Sequence, residues 1–359
     1  MRFCSKCGAQ VNDDAQFCFK CGNALHKPAS NNNSSGFMDG VKNYFGADHA
    51  DLNWKILFND VMNKHTSHEA EEIFICGTQK TTPDLSLVSS KLPRPWLYSR
   101  VFIFMIITFF LLWICTSAFA NSNALPGLIV VGSFAVPLST LVLFLEVNVW
   151  KNISFFKVMQ IFMVGGCASL VATLILFRIL PLGTDNFINA FMVGLIEELG
   201  KAVIVCYFLS KVSSAKILPA MLIGACIGAG FAAFESAGYA FNFLYQGGFS
   251  TMMDVIFLRA FLAPGGHVAW AAISGAAMVI AAKKLNTSIS FGLFTQTSFL
   301  KFFIIPIIMH GIWDSPITAS FLPEIHGVPI LLLIAVWIVI LILINLGLAE
   351  VSAARKSNN

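Results

Sequence analysis

Apolar residues in this chain gather in long uninterrupted runs instead of alternating with polar ones. Eight runs lie near 100–120, 125–147, 155–180, 187–210, 217–243, 252–282, 299–322 and 328–349. Each can cross a hydrocarbon core of about 30 Å, which takes about 20 helical residues. The pattern predicts an all-α polytopic membrane protein with about eight transmembrane helices over residues 99–350. The preceding chain reads differently. Residues 1–25 form a small cysteine module. Residues 26–50 are expected to be a flexible linker, because they begin with the low-complexity stretch KPASNNNSSG. Residues 51–98 read as a cytoplasmic pre-membrane segment with one short amphipathic helix around Leu52, Ile56 and Val61. Trp96 and Tyr98, with Lys91, Arg94 and Arg100 around them, suit an interfacial anchor.

Composition strengthens this reading. Of 359 residues, 57% are hydrophobic and 12% charged, against about 25% charged in soluble domains. A net charge of +4 is too small to suggest nucleic acid. The first residues, MRFCSKCGAQ, hold no apolar leader core, so no secretory signal is expected. Basic residues mark alternate loops: Lys151 and Lys157, Lys211 and Lys216, Lys283 and Lys284, then Arg355 and Lys356. This bias places both termini, including a tail at 351–359, in the cytoplasm of a multi-pass protein of the cell membrane.

The cysteine module reads C-x2-C-x10-C-x2-C, with Cys4, Cys7, Cys18 and Cys21. Each pair sets two sulfurs on one knuckle, and Gly8 and Gly22 permit the turns. Four thiolates suit a closed tetrahedral zinc site with no open position for chemistry, so the expected zinc is structural. A reducing cytoplasm favours metal over disulfides. The module resembles the short zinc ribbon at the ends of many prokaryotic membrane proteins, and a cytoplasmic protein is one candidate partner for it.

Four polar groups interrupt the apolar runs. EELGK carries Glu197, Glu198 and Lys201; FAAFE carries Glu235; LAPGGHVAW carries His267 behind a Pro-Gly-Gly break; HGIWD carries His310 and Asp314. A charged group at a helix centre costs roughly 2.5–3.5 kcal/mol to insert. Lys201 stands at i+4 from Glu197 and i+3 from Glu198, within reach of either. At 1.5 Å per residue these groups fall about 12–18 Å from the outer ends of their runs, which puts them in one layer. Gly224, Ala225, Gly228 and Ala232 form a small-residue stripe for close packing around that layer.

In this order, EELGK, FAAFE, HVAWAAISG and HGIWD resemble the motifs of the PrsW family of intramembrane proteases, over roughly residues 65–350. The family is related to the CAAX prenyl protease and Abi superfamily, whose members carry an Arg and a His where this chain has Lys201 and Glu235. The resemblance implies cleavage of single-span membrane proteins, of the anti-sigma-factor type, near the extracytoplasmic face. It also implies a glutamate-based mechanism, in a family earlier described as metalloproteases.

On that basis Glu197 or Glu198 is the expected base on a water, with Glu197 preferred and Lys201 tuning the pair. His267 and His310 are expected to donate to the oxyanion or the leaving nitrogen. Asp314 is expected to orient His310 or a water, and Glu235 to hold the water or position His267. In the zinc version of the same protease, His267, His310 and one or two carboxylates would hold the ion. That version is not favoured. Two readings from other classes share these residues: a proton-coupled transporter and a catalytically inactive zinc-ribbon sensor. Concentration of the polar groups in the fourth to seventh runs argues against the transporter. HExxH, GxSG and GxGD motifs are absent.

Overall fold

The computed structural model describes residues 2–3, 10–11, 21, 36–47, 50–180, 182, 186–212, 215–319 and 327–358. The chain divides into two units, Met1–His49 and Ala50–Asn359. In the first, β1 (Arg2–Phe3) pairs antiparallel with β2 (Gln10–Val11). Cys21 lies in a turn, while Cys4, Cys7 and Cys18 lie outside the described residues. The expected linker is not irregular throughout, because it contains α1 (Phe37–Phe45). Phe37, Val41, Tyr44 and Phe45 recur at helical spacing, and Gly46, at φ 68°, ends the helix in the left-handed conformation.

In the second unit, the amphipathic helix expected near residues 52–61 is a single 3-10 turn, Trp54–Leu57, opened by Asn53. Helix formation is deferred to α2 (Ser67–Ile75), where Thr66 and Glu69 form a capping box. The Thr66 backbone N–H holds the Glu69 carboxyl below its ordinary range. His65 stacks on Trp96 at 3.8 Å.

The apolar helices follow: α3 (Leu97–Ser117), α4 (Leu125–Val147), α5 (Phe155–Gln160), α6 (Gly166–Ile179), α7 (Phe187–Ser210), α8 (Ile217–Leu262), α9 (His267–Lys284), α10 (Thr297–Trp313) and α11 (Gly327–Asn358). A π-turn, Ile161–Gly165, joins α5 to α6 without a break. Among the described residues, five stretches are long and apolar enough to cross a membrane. Three features separate them from the eight expected runs. The fifth and sixth runs form one helical stretch, Ile217–Lys284, α10 has only 17 residues, and α7 carries three charges, Glu197, Glu198 and Lys201. The tail is helical as well, since α11 continues to Asn358.

The core is built around α8, whose residues from Ile217 to Ala233 are all buried. A Cβ on Gly224 would run into the Ala271 carbonyl, and one on Gly228 into that of His267. The small-residue stripe thus brings α8 and α9 to backbone contact. At Gly248, with φ 79°, α8 kinks into a return arm. Only glycine takes that conformation without strain. The arm is seated by Met252, Met253 and Ile256 in a buried cluster with Phe109, Leu128, Ile129 and Ala240.

The end of the bundle where the basic loops lie is closed by carboxylates. Glu146 accepts hydrogen bonds from the backbone N–H groups of Trp96, Leu97 and Tyr98 at 2.8–2.9 Å, capping α3. Glu350 accepts from Ile217 N at 2.9 Å, capping α8, and pairs with Lys283. Asn345 and Asp51 exchange two hydrogen bonds, strapping the pre-membrane segment to α11.

Candidate active site

Small residues on two helices draw the polar groups together. A Cβ on Gly194 of α7 would lie 2.9 Å from Gly311 N and 3.2 Å from His310 Cβ. That contact sets His310 of α10 against Glu198 of α7. On α8, Gly228 admits the first turn of α9, which starts at His267. The Pro-Gly-Gly sequence becomes a 3-10 turn, Ala263–Gly265, which frees the chain to restart at that point.

Lys201 is wholly buried and shared among three groups. Its ammonium lies 2.7 Å from Glu198 Oε1, 2.8 Å from His267 Nδ1 and 3.6 Å from Glu197 Oε2. It also lies 4.2 Å from the centre of the Phe231 ring. An amine in apolar surroundings is stable only with such partners. His310 turns Nδ1 to Glu198 Oε1 at 2.9 Å. Its Nε2 faces Asp314 Oδ2 at 3.3 Å and Glu197 Oε2 at 3.6 Å. Trp270 stacks on the His310 ring at 4.6 Å, and the two imidazoles are 5.1 Å apart. His267 Nε2 donates to Glu235 Oε2 at 3.1 Å, consistent with Lys201 donating to Nδ1.

All seven expected side chains therefore meet in one network, but they are not equivalent. A cavity of about 580 Å³ is lined by Glu197, Glu235, Arg259, His267, His310 and Asp314, among others. Glu198 and Lys201 lie behind this wall. Glu198 is fully enclosed and Glu197 is 7% exposed. Each glutamate has one oxygen, Glu197 Oε2 and Glu198 Oε2, that is buried without a hydrogen-bond partner, but only Glu197 borders the cavity. A carboxylate with unused acceptor capacity beside a cavity can take a proton from a molecule held there. Asp314 differs from expectation in one respect. The helix stops at Trp313, so Asp314 is its C-terminal cap and a partly open one, and not a residue inside a longer span. Pro316 opens the 3-10 turn that follows.

Sequence reasoning did not assign Arg259, which pairs with Glu235, or Ser236 and Trp270 on the same walls. The available signal for Arg259 was its isolation as a lone cation between Ile217 and Ala282.

Three residues of this network fit a zinc ion. Glu197, His267 and His310 each offer a ligand atom, all within 4.8 Å of one another. Two imidazoles and a carboxylate form a donor set used by catalytic zinc.

The model of the PrsW family intramembrane metalloproteases matches residues 154–344, more than half of the chain. A zinc-ribbon domain model matches residues 3–25. No curated protein and no solved structure matches the chain.

Proposed function

The chain belongs to the PrsW family of intramembrane proteases, and from that premise we propose that it hydrolyses a peptide bond of a single-span membrane protein in the cavity beside Glu197. The observation that carries this reading is the asymmetry of the glutamate pair. Glu197 lines the cavity, whereas Glu198 does not reach it and is sealed against Lys201 and His310.

Glu197 takes a proton from a water in the cavity. The resulting hydroxide attacks the carbonyl carbon of the bond to be cut, giving a tetrahedral oxyanion. His267, on the facing wall, shares the Nε2–H that it gives Glu235 with that oxygen. His310 Nε2 lies between Glu197 and Asp314. It relays the proton to the leaving nitrogen, which departs as an amine while the carbonyl becomes a carboxylate. Glu198 and Lys201 hold the two histidines in place from behind. The cavity extends to Asn186 at the start of α7 and Pro316 after α10. That side is opposite the basic loops, which supports cleavage near the extracytoplasmic face. Asn189 and Ser236 line the same space and offer polar partners to a substrate backbone that must leave its helix to be cut.

A metal-dependent form of the same reaction is supported by one observation, the close approach of Glu197, His267 and His310. These three residues would hold zinc, which would supply a polarised water at neutral pH. Lys201 weighs against this form. Its ammonium donates to His267 Nδ1 and stands 3.6 Å from Glu197, so it competes for the same donors. At the N-terminus, a structural zinc held by Cys4, Cys7, Cys18 and Cys21 is the proposed reading of the ribbon. A cytoplasmic protein is the proposed partner of that ribbon.

The test is substitution of Glu197, Glu198, His267 and His310 one at a time, with cleavage of a co-expressed single-span reporter as readout. Loss with Glu197→Gln supports the reading, and retained cleavage in all four overturns it. Chelator treatment of a Cys4→Ser, Cys7→Ser protein separates the two forms, because only the metal-dependent one loses activity.

A further inference from the structure

Arg259 is buried for the most part in an apolar arm, and every contact it makes is with the protein. Its guanidinium pairs with Glu235, its Nε donates to Ser236 Oγ at 2.8 Å, and it lies 4.5 Å from the centre of the Tyr239 ring. These three partners follow one another along a single stretch of α8, across from the return arm that carries Arg259. A lone cation in such surroundings is costly, so its placement calls for a reason.

The reason lies one contact further on. The Glu235 oxygen that meets Arg259 is Oε2, which also receives His267 Nε2 at 3.1 Å. The other ring nitrogen of His267, Nδ1, is held by Lys201. The imidazole is thus clamped at both nitrogens, by Lys201 on one side and by the Arg259-bound carboxylate on the other. The chain adds a second link. Arg259 and His267 lie at the two ends of one short stretch that includes the 3-10 turn Ala263–Gly265. Pinning Arg259 to α8 therefore fixes the arm that delivers the first turn of α9. The arm is itself seated by Met252, Met253 and Ile256, so Arg259 has a firm base from which to act.

We propose that Arg259 is a positioning residue for His267, acting through Glu235. It does not touch the reacting atoms. It fixes the carboxylate that orients the ring, and it ties the return arm to α8. A lysine could supply the charge, but not the planar fork that reaches Glu235 and Ser236 together while lying over Tyr239. The inference rests on the proteolytic reading of this cavity.

The test compares Arg259→Lys, Arg259→Gln and Arg259→Ala in the full-length protein. The probe is a tagged single-span reporter that the wild type cleaves and Glu197→Gln does not. If the wild type cleaves no reporter, or Glu197→Gln cleaves as well as wild type, the proteolytic reading fails and the inference falls with it. Once that control holds, Arg259→Gln is expected to lower kcat by about tenfold or more, with KM changed by less than about twofold. Arg259→Lys should retain an intermediate kcat, and added guanidinium should restore part of the Arg259→Ala activity. Glu235→Gln combined with Arg259→Gln should be no slower than the slower single variant, as expected for groups acting in series. A poorly folded Arg259→Ala protein leaves the lysine variant and the double-mutant comparison to decide. A wild-type kcat in Arg259→Gln overturns the proposal. So does a change confined to KM, which would make Arg259 a substrate contact, or full additivity with Glu235→Gln.

Discussion

Glu146 and Glu197 are both carboxylates set in apolar helices, and the protein treats them in opposite ways. Glu146 accepts three backbone N–H bonds and caps α3. Its acceptor capacity is used, and it ties two helices together. Glu197 is nearly as enclosed as its neighbour Glu198 and, like it, has one oxygen without a hydrogen-bond partner, yet its side chain alone of the two borders a cavity. A buried carboxylate left partly unsatisfied destabilises a fold, so its retention at a cavity wall points to chemistry where the fully bonded Glu146 points to architecture. Glu198 sides with Glu146 by its place: it is wholly buried away from the cavity, and its Oε1 is fixed by Lys201 and His310.

This comparison can be broken by measurement. The largest stability effect is expected at Glu198→Ala, which removes the carboxylate nearest to the buried Lys201 and frees His310 Nδ1. Breaking a buried pair in this way costs about 3–5 kcal/mol. Thermal unfolding in detergent should show the loss, and an unchanged midpoint would remove Glu198 from the architectural class. Glu146→Ala comes next, leaving three N–H groups of α3 unpaired at about 1–3 kcal/mol each before solvent or lipid headgroups compensate. Cleavage per folded molecule should stay near wild type, and a selective loss of turnover would contradict the division. Gly228→Ala should cost about 1–3 kcal/mol by overpacking. It should also lower turnover, because the new methyl group meets the His267 carbonyl. The smallest effect is expected at the ribbon. Cys4→Ser with Cys7→Ser should remove bound zinc by elemental analysis and shift the membrane domain's unfolding by less than about 0.5 kcal/mol.

Much of the site was legible before the fold was known, for a physical reason. Charges are rare in apolar helices, so EELGK, FAAFE, the histidine after the Pro-Gly-Gly break and HGIWD announce themselves. Helical spacing then fixes which of them can meet within a helix. The pairs Glu197–Lys201 and His310–Asp314 appear in the structure as their i,i+4 spacing implies. What the spacing could not give was anything dependent on a change of chain direction. The Arg259–Glu235 pair exists because Gly248 turns the second half of α8 back toward the first. The same kink lies between two expected spans, where the chain turns back without an intervening loop. Glu146 gave no signal of its role, since the N–H groups that it caps lie 48–50 residues away. The helix expected near Leu52 failed because Asn53 and the capping box at Thr66 favour a turn first and a helix later. The difference between Glu197 and Glu198, adjacent in sequence, is set by which of them Lys201 and His310 enclose.

The central claim is that the cavity-facing carboxylate does the chemistry and its neighbour supports it. The most direct measurement is single-span reporter cleavage by purified Glu197→Gln protein, with its thermal unfolding recorded on the same sample. The amide keeps the shape of the side chain and removes its capacity to take a proton. The account predicts a protein as stable as wild type to within about 1 kcal/mol, with cleavage reduced by about a hundredfold or more. A folded Glu197→Gln protein that cleaves at the wild-type rate would contradict it.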